Sequence, residues 1–206
     1  AIYYWKEDNI LKERNSYIAN IYQEFKDNPT DKGFLKVIIA NYLLEGIYFY
    51  NGFNFFYNLA SRNLMIETST QIRYINRDEL QHCNLFRHII LGLKEEENNL
   101  FDSMKDEIYN MFKIAVDQEI KFSQHIIGDK ILGMTNKSIE DYTYYIANKR
   151  LKAIGMDEIF EKRKNPYKHL ESLAGVENET TAKSNIFESQ SIAYKQASIL
   201  DGWDNI

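Results

Sequence analysis

Leu43-Leu44-Glu45-Gly46-Ile47-Tyr48-Phe49-Tyr50 is the stretch whose reading decides the fold. It lies in a run from Gly33 to about Arg62 that is apolar on nearly all sides, the mark of a central, buried helix. One residue in it is out of keeping. An unpaired Glu45 carboxylate would be very costly to bury in such surroundings, and a bound metal would remove that cost.

Outward from this run the chain reads as helix after helix. Asn9 to Lys26 carries Ile10, Tyr17, Ile18, Ile21, Tyr22 and Phe25 at close to a 3.6-residue period. The cluster Asp27-Asn28-Pro29-Thr30-Asp31 breaks it, and Thr30 or Asp31 can cap the buried helix that follows. Thr68 is expected to cap the next helix, which runs to about Leu91 before Gly92 ends it. Another helix spans roughly Leu100 to Ile127, followed by a connector over residues 128–133. Ser138 opens a further helix through Ile154, closed by Gly155. No internal repeat and no strand-like alternation competes with this pattern. With 9 Gly and 2 Pro in 206 residues, long uninterrupted helices are permitted and all-β architectures are unfavoured.

The helix after the buried one carries Glu79-Leu80-Gln81-His82, a Glu-x-x-His spacing that puts carboxylate and imidazole on one helical face. Alone, that spacing also describes an ordinary surface hydrogen bond between residues i and i+3. What tilts the reading is its company: Glu45 in an unusually apolar helix, and Arg77-Asp78-Glu79 set among Ile72, Ile75, Leu80, Leu85 and Phe86. Helix-bundle di-metal proteins take a Glu from each of two helices and a Glu-x-x-His from each of two others. Carboxylates bridge and balance the cations, and each His adds one neutral nitrogen. Glu45, Glu79 and His82 are therefore the expected metal ligands. His88 reads as a helix-face residue, His125 and His169 as structural, and Cys83 as a small buried hydrophobe.

Composition narrows the function classes. The formal net charge is −5, so no global field attracts nucleic acid, and Lys162-Arg163-Lys164 is too short for a phosphate track. No apolar run is long enough to span a bilayer. The single Cys83 leaves no internal disulfide and fits a reducing, cytoplasmic setting. There is no phosphate loop and no dinucleotide fingerprint. The start, Ala1-Ile2-Tyr3-Tyr4-Trp5, lacks an initiator Met and a signal-peptide pattern, and reads as a processed, truncated or split polypeptide. At the other end, residues 175–184 are polar and aperiodic. They lead to spaced anchors at Phe187, Tyr194, Ile199, Leu200, Trp203 and Ile206. A linker ending in such anchors is expected to be a docking peptide, the alternative being a disordered end with incidental aromatics.

Taken together, 44–53 (Leu44-Glu45-Gly46-Ile47-Tyr48-Phe49-Tyr50-Asn51-Gly52-Phe53) and 75–82 (Ile75-Asn76-Arg77-Asp78-Glu79-Leu80-Gln81-His82) resemble the second metal-ligand pair of class I ribonucleotide reductase small subunits. The likeness continues through Met111-Phe112, Gln118-Glu119, the stretch from Tyr145 to Gly155, Asn165-Pro166, Asn185-Ile186-Phe187-Glu188 and Tyr194. It covers nearly the whole chain in the family's order. The resemblance implies an all-α, ferritin-like helical bundle, the C-terminal half of the family fold, over 1–174, with a flexible tail over 175–206. It implies that Glu45, Glu79 and His82 hold one half of a di-iron centre, with manganese as the alternative metal. Phe49, Phe53 and Ile75 would wall the apolar pocket that shields the family's tyrosyl radical. Asp78 would be the carboxylate that hydrogen-bonds a ligand His and couples proton to electron movement. Tyr194 would relay the radical, and the last residues would dock on the large subunit.

The family's further carboxylate, first Glu-x-x-His and radical Tyr lie upstream of the matched region, and His82 is the earliest of the four His. The site is thus expected to be incomplete in this chain alone. A complementary small-subunit polypeptide would carry the remaining ligands, in a homo- or hetero-oligomer. The expected activity is that of a ribonucleoside-diphosphate reductase small subunit, serving deoxyribonucleotide synthesis. Two other readings stand beside it: a non-catalytic remnant acting as a scaffold, and a related ferritin-like di-iron oxidase. The tail argues against the oxidase, which needs no relay Tyr in a docking peptide.

Overall fold

The structure, a computed structural model, describes residues 4–174. The expected tail, 175–206, and Tyr194 within it lie outside the described residues. The elements in order are α1 (Tyr4–Glu7), α2 (Asn9–Asp27), α3 (Asp31–Leu43), a π-helical segment (Leu44–Tyr48), α4 (Tyr50–Ala60), α5 (Ile66–Glu96), α6 (Asn98–Ser103), α7 (Lys105–Ile126) and α8 (Asn136–Ala153). Short 3₁₀ turns at Gly128–Lys130 and Lys168–Leu170 and a last turn, α9 (Glu171–Ala174), complete it. Among the described residues there is no strand, so the all-α expectation holds, and no helix is long and apolar enough to cross a membrane.

Helix starts follow local chemistry where a cap is present. The Asp8 carboxylate accepts from the amide of Leu11 at 2.8 Å, and the Thr30 hydroxyl accepts from Gly33 N at 3.0 Å. Thr135 and Ser138 form a reciprocal capping box at the start of α8. Gly155, just past its end, takes φ +69°, the left-handed turn that closes a helix without a Cβ clash.

Four boundaries differ from the sequence expectation, the first being the start of α8, which lies at Asn136 under a Thr135 cap and not at Ser138. Thr68 does not cap α5: the helix already begins at Ile66, because left-handed Asn63 and Met65 (φ 60° and 51°) reverse the chain just ahead of it. Gly92 does not end α5, which continues to Glu96. Arg87 Nε donates to Ala153 O at 2.9 Å and Lys94 Nζ to Gly155 O at 3.1 Å. Those bonds tie the segment to the end of α8 and outweigh a glycine penalty of about 1 kcal/mol. Finally, the single helix expected from Leu100 to Ile127 breaks at buried Met104, where φ −104° and ψ 2° leave the helical region.

The central run behaves as its apolarity predicts. Leu35, Ile39, Ala40, Tyr42, Leu43 and Ile47 are all essentially buried, and each large side chain among them contributes about 1.5–3 kcal/mol on leaving water. They form one core with α2, α5, α7 and the end of α8. A second core gathers Tyr50, Phe53 and Tyr57 of α4 against Ile139, Tyr142 and Ile146 of α8, with Tyr167 and Leu170 beyond. Buried tyrosines keep their hydroxyls satisfied: Tyr42 donates to Arg150 O at 3.0 Å and Tyr48 to Gln118 Oε1 at 2.7 Å. The antiparallel pair formed by α3–α4 and α5 is what brings Glu45 and the Glu79–His82 segment face to face.

Candidate metal centre

Glu45 lies in the π segment, where the helix briefly widens, and Glu79 and His82 lie on α5 opposite. One ligand atom from each falls within 4.8 Å of the others. His82 Nδ1 is 2.8 Å from Glu79 Oε2 and 3.7 Å from Glu45 Oε2. Both carboxylates are largely enclosed, with side-chain exposures of 17% for Glu45 and 16% for Glu79, while His82 is half exposed at 51%. The α5 spacing does what an i, i+3 pair should, presenting both groups on one face.

The electrostatics of the trio are unfavourable in the absence of a cation. Burial, then the neighbouring Glu79, pushes the Glu45 carboxyl up to about 7, with His82 pulling the other way. His82 is raised, chiefly by its hydrogen bond to Glu79. Glu45 Oε2 is buried and has no hydrogen-bond partner, because 3.7 Å is too long for one. Two carboxylates and an imidazole converging on an unanswered buried oxygen make a donor set of the kind first-row divalent metals take. The residues present fit a metal.

Other expected residues are placed less uniformly. Phe49 and Phe53 share a ring contact with centroids 6.2 Å apart, but Phe53 is buried while Phe49 is 36% exposed. Ile75, one turn before Glu79, is 45% exposed. Asp78 is exposed and 4.0 Å from Arg77 Nε; the His82 ring nitrogen bonds Glu79 rather than Asp78. Cys83 is buried as expected, His88 and His169 are exposed, and His125 pairs with Asp8 at 2.7 Å. Tyr22 of α2 approaches the trio: its hydroxyl donates to Asn41 at 3.0 Å, and burial and the Glu45 charge raise its pKa. Beside it, a cavity of about 300 Å³ opens between α2 and the π segment, lined by Arg14, Ile18, Tyr22, Leu44, Tyr48 and Phe49.

Sequence reasoning did not single out a second polar cluster behind the π segment. Glu119 of α7 is fully buried and accepts from Arg14 Nη2 at 2.8 Å, Ser123 Oγ at 2.8 Å and Asn51 Nδ2 at 3.1 Å. Asn51 also donates to Thr143 Oγ1 of α8 at 2.9 Å. Burial pushes the Glu119 carboxyl up to about 7 against the opposing pull of Arg14, Ser123 and Asn51. A signal was available. On α7, Glu119 continues the apolar stripe of Ile108, Phe112 and Ala115, a position where a charge demands an explanation.

Comparison with known proteins adds the family. Residues 1–166 match the family model described as "Ribonucleotide reductase, small chain". A ribonucleoside-diphosphate reductase subunit beta from Treponema pallidum is 40% identical over 200 residues, 97% of this chain and 57% of that protein. One from Halalkalibacterium halodurans is 42% identical over 205 residues, 98% of this chain and 59% of that protein. Among solved structures, a ribonucleotide reductase R2 subunit from Clostridium botulinum superposes with a TM-score of 0.80 at 42% identity, over 84% of this chain and 55% of that one. The ferritin-like architecture expected from the sequence is shared with that structure. The chain spans a little over half the length of the curated relatives it matches.

Proposed function

The chain belongs to the ribonucleotide reductase small-chain family, and on that premise we propose that it contributes half of a di-metal site to a class I ribonucleoside-diphosphate reductase. Glu45, Glu79 and His82 are the ligands it supplies. The observation that carries this reading is the buried, partnerless Glu45 Oε2 facing Glu79 and His82. Iron is the expected metal, with manganese as the alternative, since carboxylate and imidazole donors suit both. When bound, the metal pair supplies the oxidising power for generating a radical and passing it to the large subunit.

This chain's own residues have narrower tasks. Glu45 and Glu79 provide negative charge against two cations, and His82 provides a neutral nitrogen. Phe49, Phe53 and Ile75 exclude water from the radical's pocket. Asp78 holds a proton beside a ligand His that the described residues do not contain, and His82 is satisfied by Glu79 instead. The remaining ligands come from a complementary small-subunit sequence. Phe49 and Ile75 support this, because they lie one turn from Glu45 and Glu79 and stay 36% and 45% exposed among the described residues. The tail, 175–206, docks on the large subunit, and Tyr194 relays the radical. The assembly works as an oligomer in the cytoplasm.

The test is a Co(II) titration of the 206-residue chain followed by optical absorption. Wild type is expected to bind one ion per chain, weakly, and Glu45→Ala to bind none. A Glu45→Ala variant that retains wild-type affinity would remove Glu45 from the ligand set. Separately, deleting Ser198–Ile206 is expected to abolish association with the large subunit while leaving helicity and Co(II) binding intact. Unchanged association would end the docking reading.

A further inference from the structure

The π segment is an anomaly in a helix that is otherwise regular from Asp31 to Ala60. A π turn bonds each carbonyl to an amide five residues on instead of four, so backbone groups at its edges lose their in-register partners. In a buried helix such carbonyls must be answered by something else. Two side chains from distant helices donate to carbonyls of this segment. Arg14 of α2, 34 residues upstream, donates through Nη2 to the Tyr48 carbonyl. Arg150 of α8 donates through Nε to the Gly46 carbonyl at 3.2 Å and through Nη2 to the Tyr50 hydroxyl at 2.7 Å.

Both guanidinium groups are held in place. Arg14 lies between the rings of Tyr48 and Phe122, with its central carbon 4.5 and 4.4 Å from their centroids, and is anchored to buried Glu119 at 2.8 Å. Arg150 is only 6% exposed and lies 5.1 Å from the Tyr50 ring centroid. Its approach explains the glycine beside Glu45. A Cβ at Gly46 would come within 3.1 Å of Arg150 Nε and 3.2 Å of Cys83 Sγ.

We propose that Arg14 and Arg150 are positioning residues for the metal centre: by holding the Tyr48 and Gly46 carbonyls they fix the π segment and so aim Glu45 at Glu79 and His82. The geometric consequence is large. An α-helix turns about 100° per residue, so removing the extra residue of a π turn rotates α3 by about that much against α4. Glu45 cannot stay 3.7 Å from His82 through such a rotation. The electrostatics of Glu45 itself are not required for this argument. The inference rests on the reading of Glu45, Glu79 and His82 as ligands, and deepens it.

The experiment uses the full 206-residue chain and two readouts, Co(II) affinity and amide hydrogen exchange over residues 44–52. Arg14→Met alone would strand Glu119, so the first variant is Arg14→Met with Glu119→Gln, which removes the carbonyl donor while keeping the pair neutral. The second is Gly46→Ala, which displaces Arg150 and changes no charge. Each is expected to retain helicity, to speed exchange in the segment at least ten-fold and to weaken Co(II) at least ten-fold. Arg14→Lys, which still offers a cationic donor, should recover most of the affinity. Wild-type affinity in either folded variant overturns the proposal, with or without faster exchange. Unfolding of both overturns it too, since the arginines would then hold the fold and not the site. Failure of the ligand reading looks different: wild type binds no Co(II), or Glu45→Ala binds as well as wild type.

Discussion

Two carboxylates of this protein share a pKa of about 7 for the same first reason, burial, and they sit in opposite kinds of surroundings. Glu119 is met by donors from three helices, Arg14 of α2, Asn51 of α4 and Ser123 of its own α7. Glu45 has a second carboxylate and a histidine near it and one buried oxygen with no partner. A perturbed acid therefore does not by itself mark a site. What separates the two is whether the fold supplies the answering donors. Around Glu119 it does, and the cluster ties helices together. Around Glu45 it does not, and one buried oxygen of the cluster is left without a donor.

The contrast can be broken most directly at Arg14. Replacing it with Met leaves Glu119, ionised at pH 8, buried without its cation, and is expected to cost about 3–5 kcal/mol in a urea unfolding curve at that pH. Glu45→Gln should leave stability within about 1 kcal/mol of wild type or raise it, because it removes charge from a crowded pair. Equal losses from the two substitutions would erase the distinction.

Next in size is pH. Folded Glu119 holds its proton up to about 7, whereas the unfolded chain releases it near the ordinary carboxylate value of 4.5. The folded state thus binds more protons in that window. The stability this group contributes is complete below 4.5 and is lost as pH rises through 7, by at most about 3 kcal/mol. Glu45 contributes in the same direction. The difference between wild type and Glu119→Gln, measured as denaturation midpoints from pH 4.5 to 8, isolates the Glu119 share. A slope that Glu119→Gln leaves unchanged would mean that the carboxylate is ionised throughout.

Metal affinity sharpens the other side. Losses of about 10–100-fold follow from disturbing groups that merely orient ligands, so Glu79→Gln should weaken Co(II) by at least that much, while Ser123→Ala should leave it within a factor of about two. The smallest effects complete the comparison. Ser123→Ala removes one of the donors to Glu119 and should cost about 1–2 kcal/mol of stability. His82→Ala, at a half-exposed position, should stay within about 0.5 kcal/mol by thermal unfolding.

The trio at 45, 79 and 82 was legible because its evidence is local: a carboxylate in an apolar run, and a fixed spacing on one helix. The start at Asn9 was legible from its apolar period and the start at Asp31 from the Thr30 cap, whereas α8 begins at Asn136, two residues ahead of the expected Ser138, because Thr135 is its cap. The π segment was not. A helix apolar on nearly every face gives no stripe whose phase could slip, so one extra residue leaves no trace in the pattern. Thr68 and Gly92 misled because bonds from residues far along the chain, Arg87 to Ala153 and Lys94 to Gly155, decide where α5 stops, while the turn ahead of it decides where it starts. The Arg14–Glu119 pair joins residues 105 apart, so although the apolar stripe of α7 marks Glu119, no local pattern says that Arg14 answers it.

The tyrosines leave an optical consequence. Burial raises Tyr22, Tyr48, Tyr57, Tyr142 and Tyr167 above the ordinary phenol value, and Tyr17 to about 12. In alkali the surface phenols should turn to phenolate first, near pH 10. The enclosed ones should stay colourless until the bundle opens, and then ionise together. An absorbance titration would thus show two waves, the second reporting collapse of the helical body from within, with no label attached.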